Sequence, residues 1–134
     1  MTQQRYGGRM DRSRDPLAIV VGSFITVAGV MHFVRPAFFI AIVPPWLPSP
    51  KLLVDISGIC EILGGIGILV PSVRVAAGWG LIALLWAVFP ANIHMAVNRV
   101  QPEGMKLSDT ALWLRLPLQF VLMYIVWWCA CRVR

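Results

Sequence analysis

Four apolar runs, each close to the ~20 residues a helix needs to cross a bilayer, constrain this chain more than any other feature. They cover about residues 17–34, 52–70, 75–97 and 111–131. Lipid offers no partner to backbone amides and carbonyls, so a spanning segment must be a helix or part of a closed barrel. Continuous apolar runs, rather than alternating ones, select the helix. The expected fold is therefore all-α: one domain, an up-down bundle of four transmembrane helices. Composition agrees. With 58% hydrophobic residues and a mean hydropathy of +0.74 over 134 residues, the chain carries more apolar surface than a soluble domain of its size can hide.

Local signals punctuate the runs. Asp15-Pro16 and Ser49-Pro50 each place a capping residue before a proline suited to the first helical turn, and Ser108-Asp109 opens the last run. Pro71 closes the second run and Pro90 predicts a kink near the end of the third. Residues 1–16 are polar and bear Arg and Gly, and read as a disordered basic tail. The first run is long for a signal peptide and lacks a small-x-small cleavage site, so it reads as a retained helix. Between the first two spans, Pro36 to Pro50 is apolar but broken by Pro44, Pro45 and Pro48. The expected form is a short helix followed by an extended proline segment, either lying at the interface or re-entering the membrane over the bundle mouth.

The net charge of +6 does not point to nucleic acid. Arg5, Arg9, Arg12 and Arg14 precede the first span, Arg74 sits in a turn, and Arg132 and Arg134 follow the last span. Basic residues flanking apolar spans set topology and meet lipid headgroups. No basic face with stacking aromatics is present. The other side would hold fewer cations (Lys51, Arg99 and Lys106, with Arg35 at a helix end), so both termini are expected in the cytoplasm. Cys60, Cys129 and Cys131 contain no CxxC, which argues against a disulfide framework or a reactive dithiol.

Polar residues inside apolar spans are costly, so their placement points to function. The candidates are His32, Arg35, Asp55, Glu61, Asn92, His94, Arg115 and Gln119. In an up-down bundle all of these lie in the outer half. Small residues at helical spacing give each helix a packing face. These are Ala18, Gly22 and Gly29 with His32; Ser57, Gly58, Gly64 and Gly65 with Glu61; and Ala76, Gly80, Ala83, Ala87 and Pro90 with His94. Arg115 and Gln119 are i, i+4 and share a face. Glu61 lies about nine residues into its helix, roughly 13 Å deep at 1.5 Å per residue, and Arg115 is its expected partner. Asp55 is i+4 from Lys51, which a surface ion pair explains. The expected site is a polar pocket of His32, Arg35, Glu61, Asn92, His94, Arg115 and Gln119.

The pieces HFxxP (His32–Pro36), VPPWLP (Val43–Pro48), EILGG (Glu61–Gly65), FPANIHMA (Phe89–Ala96) and RLPLQ (Arg115–Gln119) together resemble the DoxX-like family of bacterial membrane proteins. The likeness covers about residues 17–131. It implies a four-helix protein of the bacterial inner (plasma) membrane. The family is named for a subunit of an archaeal thiosulfate:quinone oxidoreductase, and its members are described as redox-associated. No catalytic residue carries over from it. Distant four-helix relatives work through paired cysteines, and this chain lacks such a pair.

Two classes of function stay open. One is a redox-associated or quinone-binding membrane subunit: His or Arg would donate to quinone carbonyls, and Glu61 would relay protons. The other is a non-catalytic scaffold, its polar network structural, serving a redox enzyme or a homo-oligomer. His32, His94 and Glu61 supply metal-ligand types, but no HxxxH or ExxH pair shares a helix, so no metal site is assigned.

Overall fold

A computed structural model describes residues 15–132. The expectation for residues 1–14 and for the last two residues falls outside that range. The described residues are helical, in the order α1 (Pro16–Val34), α2 (Pro36–Ile40), α3 (Pro50–Leu69), α4 (Arg74–Val97) and α5 (Asp109–Val126). A π-helical turn, Trp127–Cys131, prolongs α5. Four of these segments are long and apolar enough to cross a membrane, the make-up of a multi-pass membrane protein. Large apolar side chains such as Phe24, Leu63, Trp79 and Val121 stand exposed along them, as lipid-facing residues do.

Two helix starts form as their sequences dictate. Asp15 accepts from the Leu17 amide at 3.1 Å, and Ser108 accepts from the Ala111 amide at 3.2 Å. The third does not. Ser49 takes a left-handed conformation (φ 49°, ψ 64°), which turns its hydroxyl away from the α3 amides, and it makes no cap bond. Proline at position 50 begins that helix without help from its neighbour.

The segment after α1 is also more folded than its prolines suggest. Beyond the single turn of α2, bonds from Ile42 N to Phe39 O, Val43 N to Ile40 O and Leu47 N to Pro44 O wind it into successive turns. The expected extended stretch is replaced by a compact plug in which Pro44 is fully buried. Each proline denies an amide, but Ala41, Ile42, Val43, Trp46, Leu47 and Ser49 keep theirs, and that suffices for turns.

Packing is closest between α1 and α3, whose glycines face each other in opposite order. A Cβ on Gly22 would stand 2.8 Å from the Gly65 carbonyl oxygen, and one on Gly29 2.8 Å from that of Gly58. Such contact of bare backbones is what small residues at helical spacing permit in lipid. Gly64 and Gly67 in turn lie against Leu81 and Ala77 of α4, and Gly78 of α4 lies against Ala130 beyond α5. Two apolar clusters result. One joins Ala18, Val21 and Ile25 to Ile68, Leu81, Val126 and Ala130; the other joins Met95, Ala96 and Leu112.

The packing face of α4 differs from the expected one. Ala76, Gly80, Ala83, Ala87 and Pro90 are exposed, and a Cβ on Gly80 would meet nothing within 4 Å. The buried residues are instead Arg74, Gly78, Leu81, Met95 and Ala96. Small size marks faces that allow close approach without requiring it.

Candidate functional site

Along α4 and α5, the stretch between the two apolar clusters is hollow. A cavity of about 390 Å³ opens there, within the range of small-molecule sites. Its walls come from His32 of α1, the 39–47 plug, α3 around Glu61, α4 from Leu85 to Asn92, and α5 from Arg115 to Leu122. The lining is largely apolar (Leu53, Val54, Val88, Leu118 and Leu122 among others), with polar groups converging on it. The fourth span packs along α4 and touches α1 through its terminal π turn, while no comparable packing joins α3 to α5 among the described residues. The cavity occupies that gap.

Each polar group is held by its own local chemistry. His32 is buried at the end of α1, where Nδ1 donates to the Ala28 carbonyl at 2.9 Å. Its ring stacks on Phe39 at 3.8 Å and 15°, which ties the plug to α1. Glu61 reaches toward it from α3, with Oε2 3.5 Å from His32 Nδ1. Since the Nδ1 proton is directed to Ala28, that contact is electrostatic rather than a hydrogen bond. Glu61 Oε2 is buried with no hydrogen-bond partner.

Across the cavity, Gln119 is buried between α4 and α5. Its Nε2 donates to the Leu85 carbonyl, and its Oε1 accepts from Asn92 Nδ2 at 2.5 Å. Arg115, one turn earlier, reaches Asn92 Oδ1 at 3.5 Å through Nη2. Acceptor and donor walls therefore oppose each other: a carboxylate on α3, a guanidinium on α5. The expected Glu61–Arg115 ion pair does not form. The cavity separates the two helices at this level, and each charge turns to its nearer neighbour.

Of the residues singled out from sequence, His32, Glu61, Asn92, Arg115 and Gln119 share this cavity, whereas Arg35 and His94 do not line it. Arg35 is exposed past the end of α1, with its guanidinium near Gly104. His94 is half-buried near the end of α4, and its Nδ1 pairs with Asn98 Nδ2 at 2.9 Å. Asp55 forms the surface pair with Lys51 at 2.8 Å.

Sequence reasoning missed two features. One is the Phe39 ring that stacks on His32, for which the only signal was its place in an apolar segment that had to pack somewhere. The other is Arg74, read as a cation of an exposed turn. It is 4% exposed, its Nε donates to the Ile68 carbonyl at 2.6 Å, and its Nη2 has no partner. The end of the bundle away from the cavity is therefore not purely apolar.

Cys60, Cys129 and Cys131 are all free thiols. Among the described residues no three of His, Cys, Asp and Glu gather as metal ligands.

Residues 21–130 match the family model of a domain of unknown function, DUF8561. The chain belongs to the DUF8561 family. The match takes in every residue that lines the cavity, so in this DUF8561 protein the site lies inside the family domain. No curated protein and no solved structure matches the chain.

Proposed function

We propose that this DUF8561 protein binds a lipophilic quinone in the cavity between α3 and α5, as a redox-associated membrane protein of DoxX-like type. The observation that carries the reading is one apolar-walled cavity, set in a gap between membrane helices, with a carboxylate and a guanidinium on facing walls. A flat ring fits beside the His32–Phe39 stack, its tail leaves toward lipid through the gap, and Arg115 donates to a ring oxygen. In this reading the four long helices alternate up and down across a bacterial inner membrane, with both termini cytoplasmic. The 36–50 segment is then a cap at the outer interface over the cavity mouth. The sequence pieces quoted above support the DoxX-like relationship.

Equilibrium titration of the purified protein in lipid nanodiscs with decylubiquinone, oxidised and reduced, tests the proposal. Saturable one-to-one binding is expected, weakened at least about tenfold (~1.4 kcal/mol) by Arg115→Met. It should be unaffected by Leu63→Ala on the exposed face of α3. No saturable binding of either form overturns it.

One observation favours a second reading. Both polar ends of Gln119 are engaged within the bundle, by Asn92 and by the Leu85 carbonyl, as in a network that only fastens α5 to α4. The protein would then be a non-catalytic scaffold for a redox enzyme or a homo-oligomer. Under it, cavity variants lower accumulation in the membrane without altering quinone affinity, and a partner co-purifies.

A further inference from the structure

Resting on the quinone-site reading, we infer that the cavity selects the reduced, hydroxyl-bearing form of its ligand, with Glu61 as the discriminating residue. The Glu61 side chain lines the cavity, and its Oε2, shielded from solvent behind it, has no donor bonded to it. The nearest nitrogen, His32 Nδ1, lies 3.5 Å away and gives its hydrogen to the Ala28 carbonyl instead. A buried acceptor left without a donor is costly, and a ligand that brings one recovers that cost.

The opposite wall has the complementary need. Arg115 only donates, and its partner in the protein, Asn92 Oδ1, is at the 3.5 Å limit of a hydrogen bond. The two walls together ask for a head group that donates on one side and accepts on the other. A quinone has carbonyl oxygens alone: it satisfies Arg115 but sets a second acceptor against Glu61. A quinol has a hydroxyl that donates to Glu61 and an oxygen that accepts from Arg115. The flat stack of His32 on Phe39 favours an aromatic head over a glyceride one. A site built to pair with a hydroxyl rejects the analogue without it far more strongly than an apolar pocket could.

The test compares decylubiquinol with decylubiquinone, binding to the wild-type chain and to Glu61→Gln in nanodiscs under anaerobic conditions. The expected result is quinol binding at least about tenfold tighter in the wild type. That preference should shrink to less than about threefold in Glu61→Gln, whose amide is uncharged and itself donates. Glu61→Met serves as a second variant, and should likewise abolish the preference. If Glu61→Gln fails to fold, the wild-type comparison with Glu61→Met decides. Equal binding of both forms by the wild type overturns the inference while the quinone-site reading stands. A preference that survives in the variants overturns the role of Glu61. Binding of neither form removes the quinone-site reading, and this inference with it.

Discussion

Gln119 shows how a polar side chain becomes tolerable in a membrane span. Its amide is used at both ends, by the Leu85 carbonyl and by Asn92, so its burial leaves nothing unpaired. Replacing it by Leu keeps the volume and strands Asn92 Nδ2. We expect Gln119→Leu to lose about 1 kcal/mol, the scale of polar contacts between membrane helices, read from unfolding in detergent. Glu61 differs, because one of its oxygens is buried and unmet, and the proposed ligand contact is therefore given to Glu61 rather than to Gln119. The members of this cluster were legible in the sequence because a polar residue inside an apolar run has few places to go. Arg35 and His94 were less so. Each sits within a turn of a helix end, where a small change in phase or a long side chain carries a polar group away from the cavity. Arg74 failed in the other direction: nothing local shows that a turn residue will be drawn onto the Ile68 carbonyl.

At the scale of elements, the α1–α3 contact sets the geometry from which His32 and Glu61 meet. A Cβ on Gly65 would lie 2.6 Å from the backbone nitrogen of Thr26 and 2.8 Å from the Gly22 carbonyl oxygen, and neither is a flexible side chain. Gly65→Ala should therefore force the helices apart and cost about 1–3 kcal/mol, as overpacking does. Gly80→Ala, with open space around the new methyl, should be neutral or slightly stabilising through helix propensity. Unfolding of the two variants side by side checks the pair; equal losses would contradict the packing described. Helix existence and the Asp15 and Ser108 caps could be read directly, since apolar length and capping are local signals. The rotational setting of α4 could not. Its small-residue stripe and its buried face lie on different sides, and only the partners of the helix decide between them. The turns that fold residues 41–49 and the π turn at Trp127–Cys131 are likewise products of tertiary packing.

The whole molecule couples a tightly joined pair, α1 with α3, to a second pair, α4 with α5, which part around the cavity. If the helices alternate across the membrane as proposed, the 98–108 connection and the α2 plug share the outer side. On a cysteine-free background, Met105→Cys should then react with a membrane-impermeant maleimide in intact spheroplasts, and Ser72→Cys only after permeabilisation. The reverse pattern would invert the topology and place the cavity on the cytoplasmic side. Four spans and a polar cluster follow from hydropathy, but a hollow between α3 and α5 does not, because voids arise from the mismatch of particular side-chain volumes. The most direct test of that hollow as a ligand site is photolabelling with an azidoquinone in bilayers, followed by peptide mapping. The account predicts label on residues 39–47, α3 near Glu61 and α5 from Arg115 to Leu122, displaced by excess unlabelled decylubiquinol. Label spread over the exposed faces of the helices and indifferent to competitor would contradict it.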